Sequence, residues 1–312
     1  MKVIQAKSAG FCYGVQRAVE LAEQTARERG GCVMLGSIIH NAHVVQHLEQ
    51  LGAHQVAGPE EIRPGDTVLI RAHGEKKQVI GHLKDIGAEC VDATCPNVLR
   101  VQQIVAQADA EGRVPIIIGD PNHPEVMGVA SWSARSVVFE EAEALQRWLD
   151  EDPARRELPL TAVAQTTCIR IIWDGAAEIL KKQCTNAKIF DTICNATHKR
   201  QSEAAELASQ VDVMVVVGDR KSANTKHLTE ICSRQCPAVY QIERAEELKR
   251  DFLTGCSVAG LTAGASTPAG IIKEVYTTMS EEIKTMEPTE ESFEEMLEKS
   301  FKTLNTGEKV TG

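Results

Sequence analysis

Three cysteines, Cys12, Cys95 and Cys194, set a frame that the 312-residue chain repeats, and no other feature limits its folding as tightly. Five residues after each comes a basic side chain: Arg17, Arg100 and Lys199. Twenty-four residues after each comes a glycine that ends a strand-like run: Gly36, Gly119 and Gly218. Twenty-eight after each comes a polar residue able to hold a ligand: His40, His123 and Ser222. Glycine makes up ~7% of ordinary sequences, so two further matches at one offset arise by chance about once in two hundred cases. A later apolar run in each unit ends in a small polar motif: RAHG (71–74), QTT (165–167) and TAGAS (262–266). Their offsets drift, as loop insertions would make them. The chain therefore reads as three related α/β subdomains of roughly 80–100 residues, each supplying one cysteine and two polar loops.

The hydrophobic pattern supports that division. Candidate strands lie at 32–38, 67–72, 114–119, 160–165, 211–218 and 256–263, separated by amphipathic stretches such as VQRAVELAEQTARER. Strands that alternate with helices imply βαβ units and parallel sheets. Each cysteine follows a short run (KVIQAKSAGF, AECVDAT, AKIFDTI) and precedes a helical pattern. Ligands of open α/β sheets gather beyond the carboxyl ends of strands, and a helix N-terminus favours a thiolate there. Three such units around a pseudo-threefold axis bring three thiolates to one centre. The expected subdomains are 1–95, 96–193 and 194–280, with residues 281–312 as an acidic tail.

Charge and composition narrow the function. A formal charge of −10 argues against a general nucleic-acid or membrane-surface binder, so any anion must be held by a local pocket. Six Phe, three Tyr and three Trp are too few for a base-stacking platform. The start has no apolar secretory run and no stretch approaches a membrane span, which points to the cytoplasm. Ten cysteines in that reducing compartment are expected to be unpaired, and metal binding becomes the better reading for those in the frame.

A structural zinc site draws four ligands from closely spaced knuckles, whereas Cys12, Cys95 and Cys194 come from separate folding units. Three thiolates without a fourth suit a cubane iron–sulfur cluster with one iron open to substrate. The bland reading of any cysteine is a small buried hydrophobe. It holds for Cys32, Cys90, Cys168, Cys184, Cys232, Cys236 and Cys256, which lack the frame. His40, His73 and His123 follow strands, as do Ser222, Asn224 and Ser266 in the third unit. Such donors are what a phosphate or diphosphate pocket needs. Glu125 has Ala42 and Asn224 as repeat counterparts, so its carboxyl is peculiar to the middle unit. A carboxyl near a diphosphate and a cluster, its pKa raised by their negative charge, is a natural proton donor. Thr166 or Thr167 can relay a proton to a substrate oxygen but cannot supply one unaided.

These residues fall in motifs that resemble the 4-hydroxy-3-methylbut-2-enyl diphosphate reductase, or LytB, family. The motifs are GFCYGV (10–15), GSIIHN (36–41), IRAHG (70–74), DATCP (92–96), HPEVMG (123–128), QTT (165–167), the Cys194 segment, SAN (222–224) and TAGAS (262–266). They follow the family's order over residues 1 to about 280. The resemblance implies a trefoil of three α/β domains around a 4Fe–4S cluster on Cys12, Cys95 and Cys194, with the substrate hydroxyl on the fourth iron. It implies that His40, His73, His123, Ser222, Asn224 and Ser266 hold the diphosphate, and that Glu125 supplies protons with Thr166 as relay. A further serine of some members falls at Ala223, which removes one hydroxyl contact and leaves the backbone N–H. The implied reaction, in the methylerythritol phosphate route to isoprenoids, takes two protons, with two electrons from a donor such as ferredoxin or flavodoxin. It releases water, isopentenyl diphosphate and dimethylallyl diphosphate. A lid-like closure of one subdomain is expected from the three-part architecture.

Two other classes stay open: a non-redox hydro-lyase or synthase, similar to quinolinate synthase, and a zinc-binding interaction protein without activity. HPEVMG and QTT favour the reductase, and dependence on an electron donor separates it from the hydro-lyase. The tail carries one amphipathic pattern (292–304) and closes on GEKVTG, which resembles the lead-in to a ribosomal-type RNA-binding repeat. A frayed terminus is the plainer reading.

Overall fold

The computed structural model describes residues 2–286, with side chains to residue 281. Strand β1 (Lys2–Gln5) leads through Cys12 into α1 (Tyr13–Arg29), which stops at Gly30 in the left-handed conformation that favours glycine. The first unit continues with β2 (Cys32–Leu35), α2 (Ala42–Gln50), β3 (Ala53–Val56), β4 (Thr67–Ile70), α3 (Lys77–Asp85) and β5 (Glu89–Asp92). Past Cys95 the second unit runs α4 (Pro96–Ala110), β6 (Val114–Ile118), α5 (Pro124–Ala130), β7 (Val137–Phe139), α6 (Ala142–Glu151), β8 (Leu160–Ala164), α7 (Arg170–Gln183) and β9 (Ala187–Ile189). Past Cys194 come α8 (Asn195–Ala208), β10 (Val213–Val217), α9 (Ala223–Ser233), β11 (Val239–Ile242), β12 (Val258–Ala263) and α10 (Ala269–Met286).

Three four-stranded sheets result, ordered β3-β2-β4-β5, β7-β6-β8-β9 and β11-β10-β12-β1. Every strand pairing among the described residues is parallel, as the alternation of strands and helices predicts. The three orders superpose element for element. The two central strands of each sheet carry the polar loops, and one edge strand leads into each cysteine.

Strand β1 departs from the expected division. It does not open the first sheet; it pairs with β12, from Lys2 against Val258 to Gln5 against Leu261. The reason is physical: β12 is apolar and almost wholly buried, and an uncovered edge there would leave its backbone groups unpaired. Strands β5 and β9 cover the same edge in the other two sheets. Cys12 therefore follows an edge strand of the third sheet, just as Cys95 follows β5 and Cys194 follows β9.

The cores sit between these sheets and their helices. All five side chains of β10 are fully buried, and each valine so buried contributes roughly 1.5–3 kcal/mol. Where the second unit has α6, the first has one 3-10 turn (Pro59–Glu61) and the third has two (Ala245–Glu247 and Arg250–Phe252). Helix α10 runs past residue 280, and the remainder of the expected acidic tail lies outside the described residues. No helix among the described residues is long and apolar enough to cross a membrane.

Candidate functional site

Cys12, Cys95 and Cys194 are the N-cap residues of α1, α4 and α8. Each donates its backbone N–H to the loop that follows the neighbouring strand of its sheet. Cys12 bonds Ala265 O at 3.2 Å, Cys95 bonds Ala72 O at 2.9 Å and Cys194 bonds Thr166 O at 3.1 Å. One repeated bond thus fixes each cysteine beside the second polar loop of the sheet whose edge strand leads into it. A Cβ on Gly14 would stand 2.5 Å from Cys95 Sγ, so only glycine lets the first turn of α1 approach the second cysteine this closely. None of the three is in a disulfide, and each is partly buried. Outside the frame, burial pushes Cys168 and Cys232 up to about 12, which keeps them as unreactive thiols.

One central cavity is lined by the three cysteines together with His40, His73, His123, Glu125, Thr166, Ser222, Asn224 and Ser266. Every site residue expected from the sequence is among its walls. The imidazoles of His40, His73 and His123 have ring centroids 4.6–5.7 Å apart. Burial lowers the pKa of His40, and burial plus the two neighbouring imidazoles holds His73 well below the usual range. Burial, with His40 close by, takes His123 down to about 4. All three are neutral at pH 7. His123 also caps α5, its Nδ1 accepting the Glu125 N–H at 3.1 Å, so the neutral ring carries its proton on Nε2.

Five buried polar atoms lining this cavity have no hydrogen-bond partner: His40 Nε2, His73 Nδ1, Arg200 Nε, Asn224 Nδ2 and Ser266 Oγ. Each such atom costs about 1–3 kcal/mol unless a ligand satisfies it. The ligand nitrogens of the three histidines lie within 4.8 Å of one another, which suits an anion among N–H donors or a cation among lone pairs. The Asn224 amide nitrogen can only donate, and that favours the anion. Ser222 caps α9 with Oγ accepting the Thr225 N–H at 3.4 Å, so the free amides of the first helical turn add to the anion site. Ala223, in that turn, lines the cavity without a hydroxyl.

Glu125 is 2% exposed and its carboxyl is held by Thr166: the Thr166 N–H donates to Oε1 at 2.6 Å and the hydroxyl to Oε2 at 2.8 Å. Its pKa rises from 4.5 to about 7. The sequence reading assigned such a rise to neighbouring negative charge; in the chain itself the cause is burial, which the two Thr166 bonds oppose. When Glu125 is protonated, its O–H can donate to Thr166 Oγ1. That frees the threonine hydrogen to turn into the cavity.

Three contributors were given no role of their own by the sequence. Gln165 ties two polar loops together, its Oε1 accepting the Asp120 N–H at 3.1 Å and its Nε2 donating to Thr167 Oγ1 at 3.0 Å. His227 Nδ1 lies 2.6 Å from Thr167 O and joins the third unit to the second. Arg200 is buried in the cavity wall, whereas Lys199, the residue in the repeat frame, is exposed. Arg17, its frame counterpart, bonds Thr94 O at 3.2 Å and Asp92 O at 3.4 Å, while Arg100 lines a separate groove. The shared base therefore has no common role.

Comparison with known proteins agrees with this geometry. The profile of the LytB protein family matches residues 3–280. A Caldanaerobacter subterraneus subsp. tengcongensis protein named 4-hydroxy-3-methylbut-2-enyl diphosphate reductase is 39% identical over 300 residues, spanning 94% of this chain and all of the relative. A Thermoanaerobacter pseudethanolicus protein of the same name is 40% identical over 285 residues, spanning 88% of this chain and 95% of the relative. A solved (E)-4-hydroxy-3-methyl-but-2-enyl diphosphate reductase, described as the terminal enzyme of the non-mevalonate pathway, is 37% identical with a TM-score of 0.64. It covers 90% of this chain and 100% of its own. The Plasmodium falciparum E-1-hydroxy-2-methyl-but-2-enyl-4-diphosphate reductase structure is 26% identical with a TM-score of 0.83, covering 88% and 87% of the two chains. With its three parallel sheets, its shared motifs and a profile match over nearly all the described residues, the chain belongs to the LytB family.

Proposed function

We propose that this chain is a 4-hydroxy-3-methylbut-2-enyl diphosphate reductase. It removes the allylic hydroxyl with two electrons and two protons, giving water with isopentenyl and dimethylallyl diphosphates. One observation carries the reading: three unpaired thiols, five unpartnered buried polar atoms and a buried carboxyl line one cavity. The donor set fits a 4Fe–4S cluster on Cys12, Cys95 and Cys194. The three thiols come from three units and no fourth cysteine lines the cavity, whereas a structural zinc site is closed by four ligands. When bound, that cluster supplies electrons one at a time and an iron free of protein ligands for the substrate hydroxyl.

The chain's own residues do the rest. His40, His73, His123, Asn224, Ser266 and the Ser222 end of α9 bind the diphosphate, which spends remote binding energy on orienting the allylic end. Glu125 holds the proton, its burial raising the pKa to about 7. Thr166 passes it to the leaving oxygen. The buried walls exclude bulk water from the reduced substrate. Two successive single-electron deliveries require an external carrier, and a ferredoxin or flavodoxin of the cytoplasm fits that need. Ten cysteines without a disulfide accord with such a compartment.

The test is anaerobic turnover with a reduced viologen dye as donor. Dye oxidation matched by the two isomeric diphosphates is the expected result. Turnover without donor consumption would replace the reductase by a hydro-lyase.

A further inference from the structure

We propose that Arg200 is a positioning residue for the cysteine set: its guanidinium clasps the segment ending in Cys12 to the helix that Cys194 opens, and sets a buried positive charge beside both thiols. The inference rests on the reading that these cysteines hold a cluster, and it adds a residue which no motif in the sequence singled out.

Arg200 is 4% exposed and lines the central cavity. Its Nη2 donates to Gly10 O at 2.5 Å and its Nη1 to Ala196 O at 3.3 Å, while Nε has no partner. Gly10 belongs to the loop after β1 and Ala196 to the first turn of α8, so one side chain spans the junction between two cysteines 182 residues apart. One turn further along α8, the Glu203 carboxylate accepts the Lys7 N–H at 2.6 Å and the Ser8 N–H at 2.8 Å. Helix α8 thus grips the approach to Cys12 at both of its ends. The segment it grips requires glycine at position 10, where φ is 106° and a Cβ would press on Ile272.

The charge needs its own explanation. A buried guanidinium bonded only to carbonyls is costly, and such cations are normally matched by an anion. Burial lowers the Arg200 pKa, and the groups that oppose it are Cys12, Cys194 and then Glu203, whose carboxylate is engaged with residues 7 and 8. The anion that completes Arg200 is the thiolate pair and the cluster they hold. A fixed cation there favours the reduced cluster and opposes loss of the thiolates. Arg17 supplies an internal comparison. It makes the same kind of cross-junction bond, to the carbonyls before Cys95, from a half-exposed position where solvent screens its charge.

The experiment compares anaerobically reconstituted wild type, Arg200→Gln, Arg200→Lys and Arg17→Gln by midpoint potential and by the rate of iron loss to a chelator. Arg200→Gln should shift the potential to more negative values and speed iron loss at least about tenfold. Arg200→Lys should keep a potential close to wild type but still lose iron faster, because an ammonium cannot bridge both carbonyls. Arg17→Gln should leave the potential unchanged. If Arg200→Gln is not recovered folded, Arg200→Lys decides alone, and iron loss at the wild-type rate overturns the proposal. A cluster-bearing wild type whose Arg200→Gln variant matches it in both readings overturns this assignment only. A wild type that takes up no iron overturns the cluster reading and this inference with it.

Discussion

Glu125 concentrates the chemistry that a single side chain can decide. Its carboxyl titrates at about 7 in the folded chain instead of 4.5. Between those values the folded state holds a proton that the unfolded chain has released, so the residue's contribution to stability falls as pH rises through the window. Above it the penalty is roughly 3 kcal/mol. Glu125→Gln keeps both Thr166 bonds by reversing the hydroxyl, and urea unfolding should show it more stable than wild type at pH 8 but not at pH 4. The same variant should slow turnover by ~10²–10⁴, and wild-type turnover should decline above about pH 7 as the acid empties. The histidines give a second reading. All three titrate below 6.5 because they are buried together, and a diphosphate among them raises all three. Calorimetry near pH 6, in buffers of different ionisation enthalpy, should register proton uptake on binding. Uptake of zero would contradict the histidine pocket. The cysteines, histidines, Glu125 and Thr166 could be picked from the sequence because each falls on a strand end or repeat position. Arg200 could not, since the frame points to its exposed neighbour Lys199.

At the scale of elements, the buried central strands and the runs that lead into the cysteines announced themselves, and the edge strands on the far side of each sheet did not. Runs such as VMVVV and VPIII are apolar throughout because both faces are covered. Strand β3 reads AHQV with its middle exposed, and β7 and β11 are short and only partly buried, so none leaves a periodic signal. The place of β1 in the third sheet is a long-range choice, set by the open edge of β12 rather than by anything in KVIQ. Helix α1 meets α4 through Gly14, and the prediction belongs to that contact. Gly14→Ala would drive a methyl into Cys95 Sγ. It should lower bound iron severely while far-ultraviolet circular dichroism stays native, since alanine suits a helix interior better than glycine. Full iron content in this variant would show that the close approach does not matter.

For the whole molecule, the three units contribute walls to one cavity. The two solved relatives cover nearly equal shares of the chain, yet the one with 37% identity superposes at 0.64 and the one with 26% at 0.83. Sequence divergence runs the other way, so we expect the subdomains to shift as rigid bodies. X-ray scattering should show a smaller radius of gyration on adding the diphosphate; an unchanged radius removes the lid. The central claim, that three units exist to hold one cluster, has a more direct test. Iron and sulfide should be measured in anaerobically purified wild type beside Cys12→Ser, Cys95→Ser, Cys194→Ser and Cys32→Ser. About four irons per chain in wild type and Cys32→Ser, with marked loss in the other three, is the predicted result. Stoichiometric zinc, no metal, or a full iron complement in any of the three frame variants would contradict it.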